Sequence, residues 1–172
     1  MARIFVSFAA LVGLLIPAFA QVARRSLDPD SILFQAFFRQ VVQTDEAAAA
    51  LRAKGKPDAP ARDYFKNRAG LNATEDGLLK EVARSCTTDY QAESQRGIAV
   101  VQALKTQYPN VSSLPPAAVA QVNSLEDARN RVTAMCVDRL RAAMGSRFQQ
   151  LDTFVRQTVG PTIHKVDAGS VK

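Results

Sequence analysis

Residues 71–108, LNATEDGLLKEVARSCTTDYQAESQRGIAVVQALKTQY, hold the longest uninterrupted helical pattern in the chain. Apolar side chains recur there mostly three or four residues apart, the spacing that places them on one face of an α-helix. They are Leu79, Val82, Cys86, Tyr90, Ile98, Val101, Leu104 and Tyr108. Asn72 and Glu75 have capping-box spacing at the start, and Pro109 follows the last apolar position. The pattern predicts one long helix over residues 73–108.

A second long helical pattern follows across a proline-bounded turn. Residues 109–116 (PNVSSLPP) predict that turn, because proline cannot continue a helix interior. Residues 117–144 then repeat apolar side chains at helical spacing until Gly145, a residue that suits a helix end. Helices joined by a short connection pack as antiparallel neighbours. We therefore expect an antiparallel hairpin of residues 73–108 with residues 117–144.

Three shorter segments complete the predicted helices, at residues 31–54, 58–69 and 147–159. Ser146 and Gln149 have capping-box spacing at the start of the last one. No segment alternates apolar and polar residues with the period of a half-buried strand. The predicted fold class is all-α, a helical bundle built on the long hairpin.

Residues 1–20 have the layout of a cleavable signal peptide. Arg3 gives a basic start, residues 4–16 (IFVSFAALVGLLI) are uncharged, and Ala18 and Ala20 are the small residues a peptidase requires. An uncleaved membrane anchor is the alternative. Thirteen residues span only about 20 Å as a helix, short of the roughly 30 Å hydrocarbon core. We expect cleavage after Ala20 and a periplasmic or secreted protein.

The mature chain, residues 21–172, has the length of a single domain. We expect an extended lead at residues 21–30, a loose tail at residues 162–172 and no transmembrane segment after cleavage. Loss of Arg3 lowers the net charge from +6 to +5. The basic residues are scattered among acids without an interleaved aromatic pattern, which argues against nucleic-acid binding.

Cys86 and Cys136 are the only cysteines of the chain. Cys86 lies roughly 33 Å before Tyr108 and Cys136 roughly 30 Å after Pro116 by helical rise, so the hairpin would place them at one height. In an oxidising compartment this placement predicts a structural disulfide between them. A redox-active pair is the alternative, although such pairs are usually close in sequence.

No residue set in the chain specifies a reaction. His164 is the one histidine and stands in the predicted tail, which argues against Ser-His-Asp triads and multi-histidine zinc sites. Met135 and Met144 suit packing rather than haem ligation. We assign no catalytic, cofactor-binding or metal residue. Two groups leave alternatives open: the aromatic residues Tyr64, Phe65, Phe148 and Phe154 (core or pocket), and the basic residues Lys80, Arg84, Arg129 and Arg139 (binding face or solvated face).

Residues 71–79 (LNATEDGLL) are similar to the Leu-Thr-x-x-Gln helix start of periplasmic stress chaperones and adaptors of the Spy/CpxP type. Asn72 stands at the Thr position and Glu75 at the Gln position, and no second copy of the motif is present. The layout that includes residues 144–159 (MGSRFQQLDTFVRQTV) also resembles uncharacterised exported helical proteins of soil bacteria such as acidobacteria. The second likeness implies no activity.

The leading hypothesis is a non-enzymatic exported binding protein, chaperone-like or an adaptor, without a cofactor. Its partner would be an envelope protein or a client polypeptide. Two other classes stay open: a small enzyme that uses carboxylate or Tyr groups in a cleft, and a carrier of a small apolar ligand. Converging polar groups in a deep pocket would favour the enzyme, and a closed apolar cavity would favour the carrier.

Overall fold

The computed structural model describes residues 28–109 and 114–167, with side chains as far as Ile163. Within these ranges the chain is helical and contains no strand. The helices are α1 (Pro29–Ala53), α2 (Ala59–Arg62), α3 (Tyr64–Ala69), α4 (Ala73–Gln107), α5 (Pro116–Met144), α6 (Phe148–Thr158) and α7 (Gly160–Asp167). The all-α prediction is therefore confirmed. The predicted signal peptide and residues 21–27 of the predicted lead lie outside the described residues.

The antiparallel hairpin of α4 and α5 is the framework of the fold, as the sequence predicts. The predicted capping box opens α4. Asn72 Oδ1 accepts a hydrogen bond from the Glu75 backbone N–H at 2.9 Å, and the Asn72 N–H donates to Glu75 Oε2 at 2.8 Å. These two bonds satisfy backbone donors that a helix start leaves free, and both helices lie within one residue of their predicted bounds.

The core lies where α1 packs across one end of the hairpin, with α3 and α6 closing it. Aromatic rings on one face of α1 fill its centre. Phe37 meets Phe65 edge-on at 5.5 Å between ring centroids, and Phe34 stacks on Phe148 at 6.2 Å. The aliphatic side chains buried around them include Leu79, Val82, Leu140, Leu151 and Val155. Each such side chain contributes about 1.5–3 kcal/mol by leaving water, so this end of the molecule carries most of the stability.

A buried ion pair joins α4 to the short helix α2. Lys80 Nζ donates to Asp76 Oδ2 and to the Arg62 carbonyl oxygen, both at 2.6 Å. The Lys80 and Asp76 side chains are only 13% and 9% exposed. Asp76 Oδ1 is buried without a hydrogen-bond partner. The ammonium group therefore depends on a single carboxylate in a place that excludes most water.

Three local predictions differ from the structure. The helix predicted over residues 58–69 is two helices, α2 and α3, which break at Asp63. The capping box predicted at Ser146 is wrong, because Gly145–Arg147 forms a 3-10 turn and α6 starts without a side-chain cap. The loose tail expected from residue 162 is the helix α7 as far as Asp167.

Arg147 explains why the start of α6 needs no capping box. Its guanidinium donates to the Gly70 carbonyl oxygen at 2.7 Å and to Glu75 Oε1 at 3.2 Å. The same guanidinium lowers the pKa of Glu75. These contacts fix the α5–α6 connection to the start of α4 from outside, which a local sequence pattern does not reveal.

Candidate functional site

The outer part of the hairpin extends beyond the core. We call it the arm, residues 92–107 of α4 together with residues 116–130 of α5. Helix α1 meets the hairpin as far out as Gln91 of α4 and Thr133 of α5, where Gln35 Nε2 donates to Thr133 Oγ1 at 3.1 Å. Among the described residues no third helix lies over the arm, and only Leu104 and Ala118 in it are buried.

The register of the two arm helices follows from two contacts. Cys86 lies against Cys136, and a Cβ atom added at Gly97 would lie 3.8 Å from Leu125 Cδ1. Each residue outward along α4 therefore matches one residue back along α5.

An open groove runs along one face of the arm. Its volume is about 310 Å³. The floor is apolar and consists of Gly97, Ile98, Val101, Val122 and Leu125, and the rim consists of Ser94, Gln102, Lys105, Glu126 and Arg129. We call this feature the arm groove. Ile98 is 50% exposed there, and it lies beside the apolar residues of the floor.

The charged side chains on the rim of the arm groove have no partners among the residues that the structure describes. Lys105, Glu126 and Arg129 are each half-buried, and none makes an ion pair or a side-chain hydrogen bond within residues 28–109 and 114–163. Elsewhere the other basic residues that the sequence singled out are paired: Lys80 with Asp76, Arg84 with Asp45 and Arg139 with Glu81. Within the described residues, three half-buried charges without such a partner therefore lie together at the groove.

The arm groove continues the trough that α1 fills. On α5, the face that carries Leu125 and Arg129 leads at helical spacing to Thr133, beside the start of α1. On α4, the face that carries Ser94 leads back to Tyr90 and to Cys86, where Phe38 of α1 is packed. The part of this face beyond α1 is left uncovered by the described residues.

The structure brings Cys86 and Cys136 together at the base of the arm, at one height as the helical rise predicts. They are two free buried thiols, 2% and 9% exposed, so the predicted disulfide is not present in this structure. The Cys86 thiol donates a hydrogen bond to Cys136, which raises the pKa of Cys86 and lowers the pKa of Cys136. Of the two, Cys136 is therefore the more readily ionised and the more exposed.

A charged cleft of about 150 Å³ lies where α1 starts, between α5 and α6. Arg156 binds Asp30 through two nitrogens at 2.8 and 3.1 Å and Asp152 at 2.9 Å. The hydrogen bonds from Arg156 lower the pKa of Asp30. A carboxyl group held ionised in this way is unsuited to donating a proton as a general acid. Asp30 therefore lacks the raised pKa that acid catalysis requires.

The sequence left two interpretations for four aromatic side chains, core or ligand pocket, and in the structure they belong mainly to the core. Phe65 and Phe148 are buried and Phe154 packs against the core, whereas Tyr64 is exposed and lies edge-on to Phe65. Met144 is buried as expected. Met135 is 65% exposed on the outer face of α5, so the prediction that it packs in the core is wrong.

The described residues contain neither a cluster of metal-binding side chains nor a membrane-spanning helix. Among those that the structure describes, no group of three or more His, Cys, Asp or Glu side chains could hold a metal ion. The side chain of His164 lies outside them. None of the described helices combines the length and the apolar character needed to span a bilayer.

Comparison of the chain with protein-family models, curated proteins and solved structures finds none that matches it. The likeness of residues 71–79 to the Spy/CpxP type therefore stays a prediction. The sequence did not single out the arm groove. The helix lengths could have indicated it. Helix α1 has 25 residues and is too short to cover the whole length of α4 and α5, which have 35 and 29 residues.

Proposed function

We propose that this protein is an exported helical binding protein, not an enzyme, and that its arm groove holds a segment of a partner polypeptide, as chaperones and adaptors do. The observation that carries the proposal is the apolar floor of the groove, which lies outside the core and includes the half-exposed Ile98. Apolar surface rimmed by polar residues is typical of interaction sites. Export is inferred from residues 1–20.

The size of the groove suits reversible binding. Covering Ile98, Val101 and Val122 would remove three partly exposed aliphatic side chains from water, each worth at most about 1.5–3 kcal/mol. The loss of translational and rotational freedom on association offsets much of that gain. Affinity of this kind allows a client to be released without an energy source, as a binding protein outside the cytoplasm requires.

The other two classes have less support. An enzyme is disfavoured because Asp30 and Asp152 of the charged cleft are both paired with Arg156, and Asp30 has a lowered pKa. A carrier would need an enclosed apolar cavity, and both the charged cleft and the arm groove are open to solvent. The resemblance of residues 71–79 to the Spy/CpxP type also favours a chaperone or adaptor.

The proposal is tested by measuring, with light scattering, how much the protein slows the aggregation of a denatured client. We expect the purified exported protein to delay aggregation, and we expect Ile98→Asp to weaken client binding by about tenfold, because a carboxylate on the apolar floor must lose its water on binding. Ala99→Asp is the matched control, since Ala99 is exposed on the same helix and does not line the groove. If the wild-type protein gives no delay, or if both variants lose activity equally, the proposal is wrong.

We also propose that Cys86 and Cys136 form a disulfide after export. Both thiols give up their protons and two electrons pass to an oxidising partner disulfide, which is reduced to two thiols. The bond would close a loop of about 50 residues and raise the free energy of unfolding by about 2–4 kcal/mol. It would also fasten the two helices at the base of the arm.

The mass of protein purified from the cell envelope checks both the bond and the cleavage. We expect a chain that begins at Gln21, lighter by two hydrogen atoms than its reduced form. After reduction, iodoacetamide should modify Cys136 before Cys86, because Cys136 is more exposed and its pKa is lowered. Two free thiols in the envelope protein would contradict the disulfide, and a mass that begins at Met1 would contradict cleavage.

A further inference from the structure

We infer that the segment held by the arm groove is an amphipathic helix with an acidic residue at each end of its apolar stripe. This inference rests on the proposed function and names the chemistry of the partner. Three observations support it. The groove lies on the same face of the hairpin as α1, its length suits a short helix, and the charges on its rim have no partners within the described residues.

The shape of the groove favours a helix. Helix α1 packs on the same face of the hairpin, against Thr133 of α5 and against Cys86 and Tyr90 of α4. The arm presents the continuation of these two helices, and a helix packs on such a pair by fitting its ridges of side chains into their grooves. A third helix laid along the groove would turn the arm into a three-helix bundle.

The length of the groove sets the length of the partner. From Ser94 to Lys105 the α4 rim rises roughly 16 Å, which corresponds to three turns of a helix. A helix of this length presents three or four apolar side chains on one face, enough to cover Ile98, Val101, Val122 and Leu125. The partner is therefore a short helical segment rather than a whole domain surface.

The charges on the rim indicate which residues the partner carries. Lys105 lies on the α4 rim near the tip, and Arg129 lies on the α5 rim at the inner end, roughly 18 Å further along the arm by the register of the two helices. Two acidic residues about twelve positions apart on the partner helix would reach Lys105 and Arg129. Twelve residues rise roughly 18 Å and rotate the second acidic side chain by about 120° around the helix axis, toward the opposite rim. Glu126 would take a basic residue between them.

Burial makes these contacts selective. Lys105, Glu126 and Arg129 are already partly removed from water and have no partners of their own within the described residues. A helix that covers the floor would bury them further, so a partner with matching charges is favoured and one with like charges is penalised. The groove would thus select by charge pattern as well as by apolar area.

The probe is a synthetic fluorescent peptide of about 18 residues, long enough for the groove and one extra turn. It carries a leucine stripe, a Glu toward each end about twelve positions apart, and a Lys one turn inside the Glu that faces Arg129. Its twin reverses these three charges and keeps the leucine stripe. Binding to the full exported protein is followed by fluorescence anisotropy.

We expect the acid-ended peptide to bind about tenfold more tightly than its twin. The double variant K105E/R129E should reverse that preference, whereas R131E, which changes an exposed arginine of α5 outside the groove, should leave it unchanged. Circular dichroism of each variant establishes that the helices are intact. The comparison of the two peptides on the wild-type protein needs no variant.

Equal binding of the two peptides, or the same preference in K105E/R129E as in the wild type, would overturn the inference. The two proposals can fail separately. If Ile98→Asp abolishes client protection while the peptides bind equally, the groove holds partners and the charge pattern is wrong. If the acid-ended peptide is selected and no client is protected, the partner chemistry is right and the chaperone function is wrong.

Discussion

Replacing Phe37 with alanine is expected to lower the free energy of unfolding by about 3–5 kcal/mol. The Phe37 ring is fully buried and contacts the rings of Phe34, Phe38 and Phe65 with centroid distances of 6.4, 5.9 and 5.5 Å. Its removal leaves a cavity among neighbours on two different helices, which cannot all move in to fill it.

Urea denaturation monitored by circular dichroism measures this loss as a lower midpoint with an unchanged slope. Tyr64→Ala is the matched control. Tyr64 also meets Phe65 edge-on, at 5.0 Å between centroids, but it is 40% exposed, so its removal opens no enclosed cavity. We expect Tyr64→Ala to cost less than about 1.5 kcal/mol. Equal losses for the two variants would mean that Phe37 is not at the centre of the core.

Replacing Asp76 with alanine should cost about 3–5 kcal/mol, because it leaves the Lys80 ammonium with little water and no counter-charge. The one remaining protein contact of Lys80 Nζ is the Arg62 carbonyl oxygen at 2.6 Å. Asp76 also stands in the first turn of α4, where a negative charge favours the helix dipole. Both effects act in the same direction.

The double variant D76A/K80M tests whether the loss of stability comes from the uncompensated Lys80 ammonium or from the missing attraction between Asp76 and Lys80. If the cost of Asp76→Ala comes from the uncompensated ammonium, adding Lys80→Met should recover most of it, since apolar groups replace buried ion pairs at little cost. Glu81→Ala is the control for an exposed pair, because Glu81 and Arg139 are 64% and 50% exposed, and it should change stability by less than about 1 kcal/mol. Additive losses in the double variant would contradict this interpretation.

The hairpin could be predicted from the sequence because its determinants are local. Apolar spacing, the Asn72–Glu75 capping box and the prolines around residue 115 define α4 and α5 to within a residue. The height at which Cys86 meets Cys136 follows from helical rise alone. Each of these features depends on residues that are near one another in the chain.

The arm groove could not be predicted in the same way. It exists because the contacts of α1 with the hairpin reach outward only to about Thr133 and Gln91, and the sequence does not state where one helix lies on another. In the sequence Arg129 is indistinguishable from a solvated arginine. Only the structure shows that it lies on the rim of the arm groove, between Leu125 and Thr133. The Ser146 capping box failed for a similar reason, because Arg147 makes contacts with residues more than seventy positions away.

The arm has a further consequence for how the molecule opens. Its two helices rest on one narrow seam with Leu104 and Ala118, and Asn123 Oδ1 is buried in that region without a hydrogen-bond partner. Separating the helices at the tip therefore breaks few contacts and leaves the phenylalanine cluster intact. We therefore expect the arm and the core to behave as two cooperative units of unequal stability that meet near the cysteines. The outer unit would then loosen, adjust its spacing and close again many times during the life of the inner one.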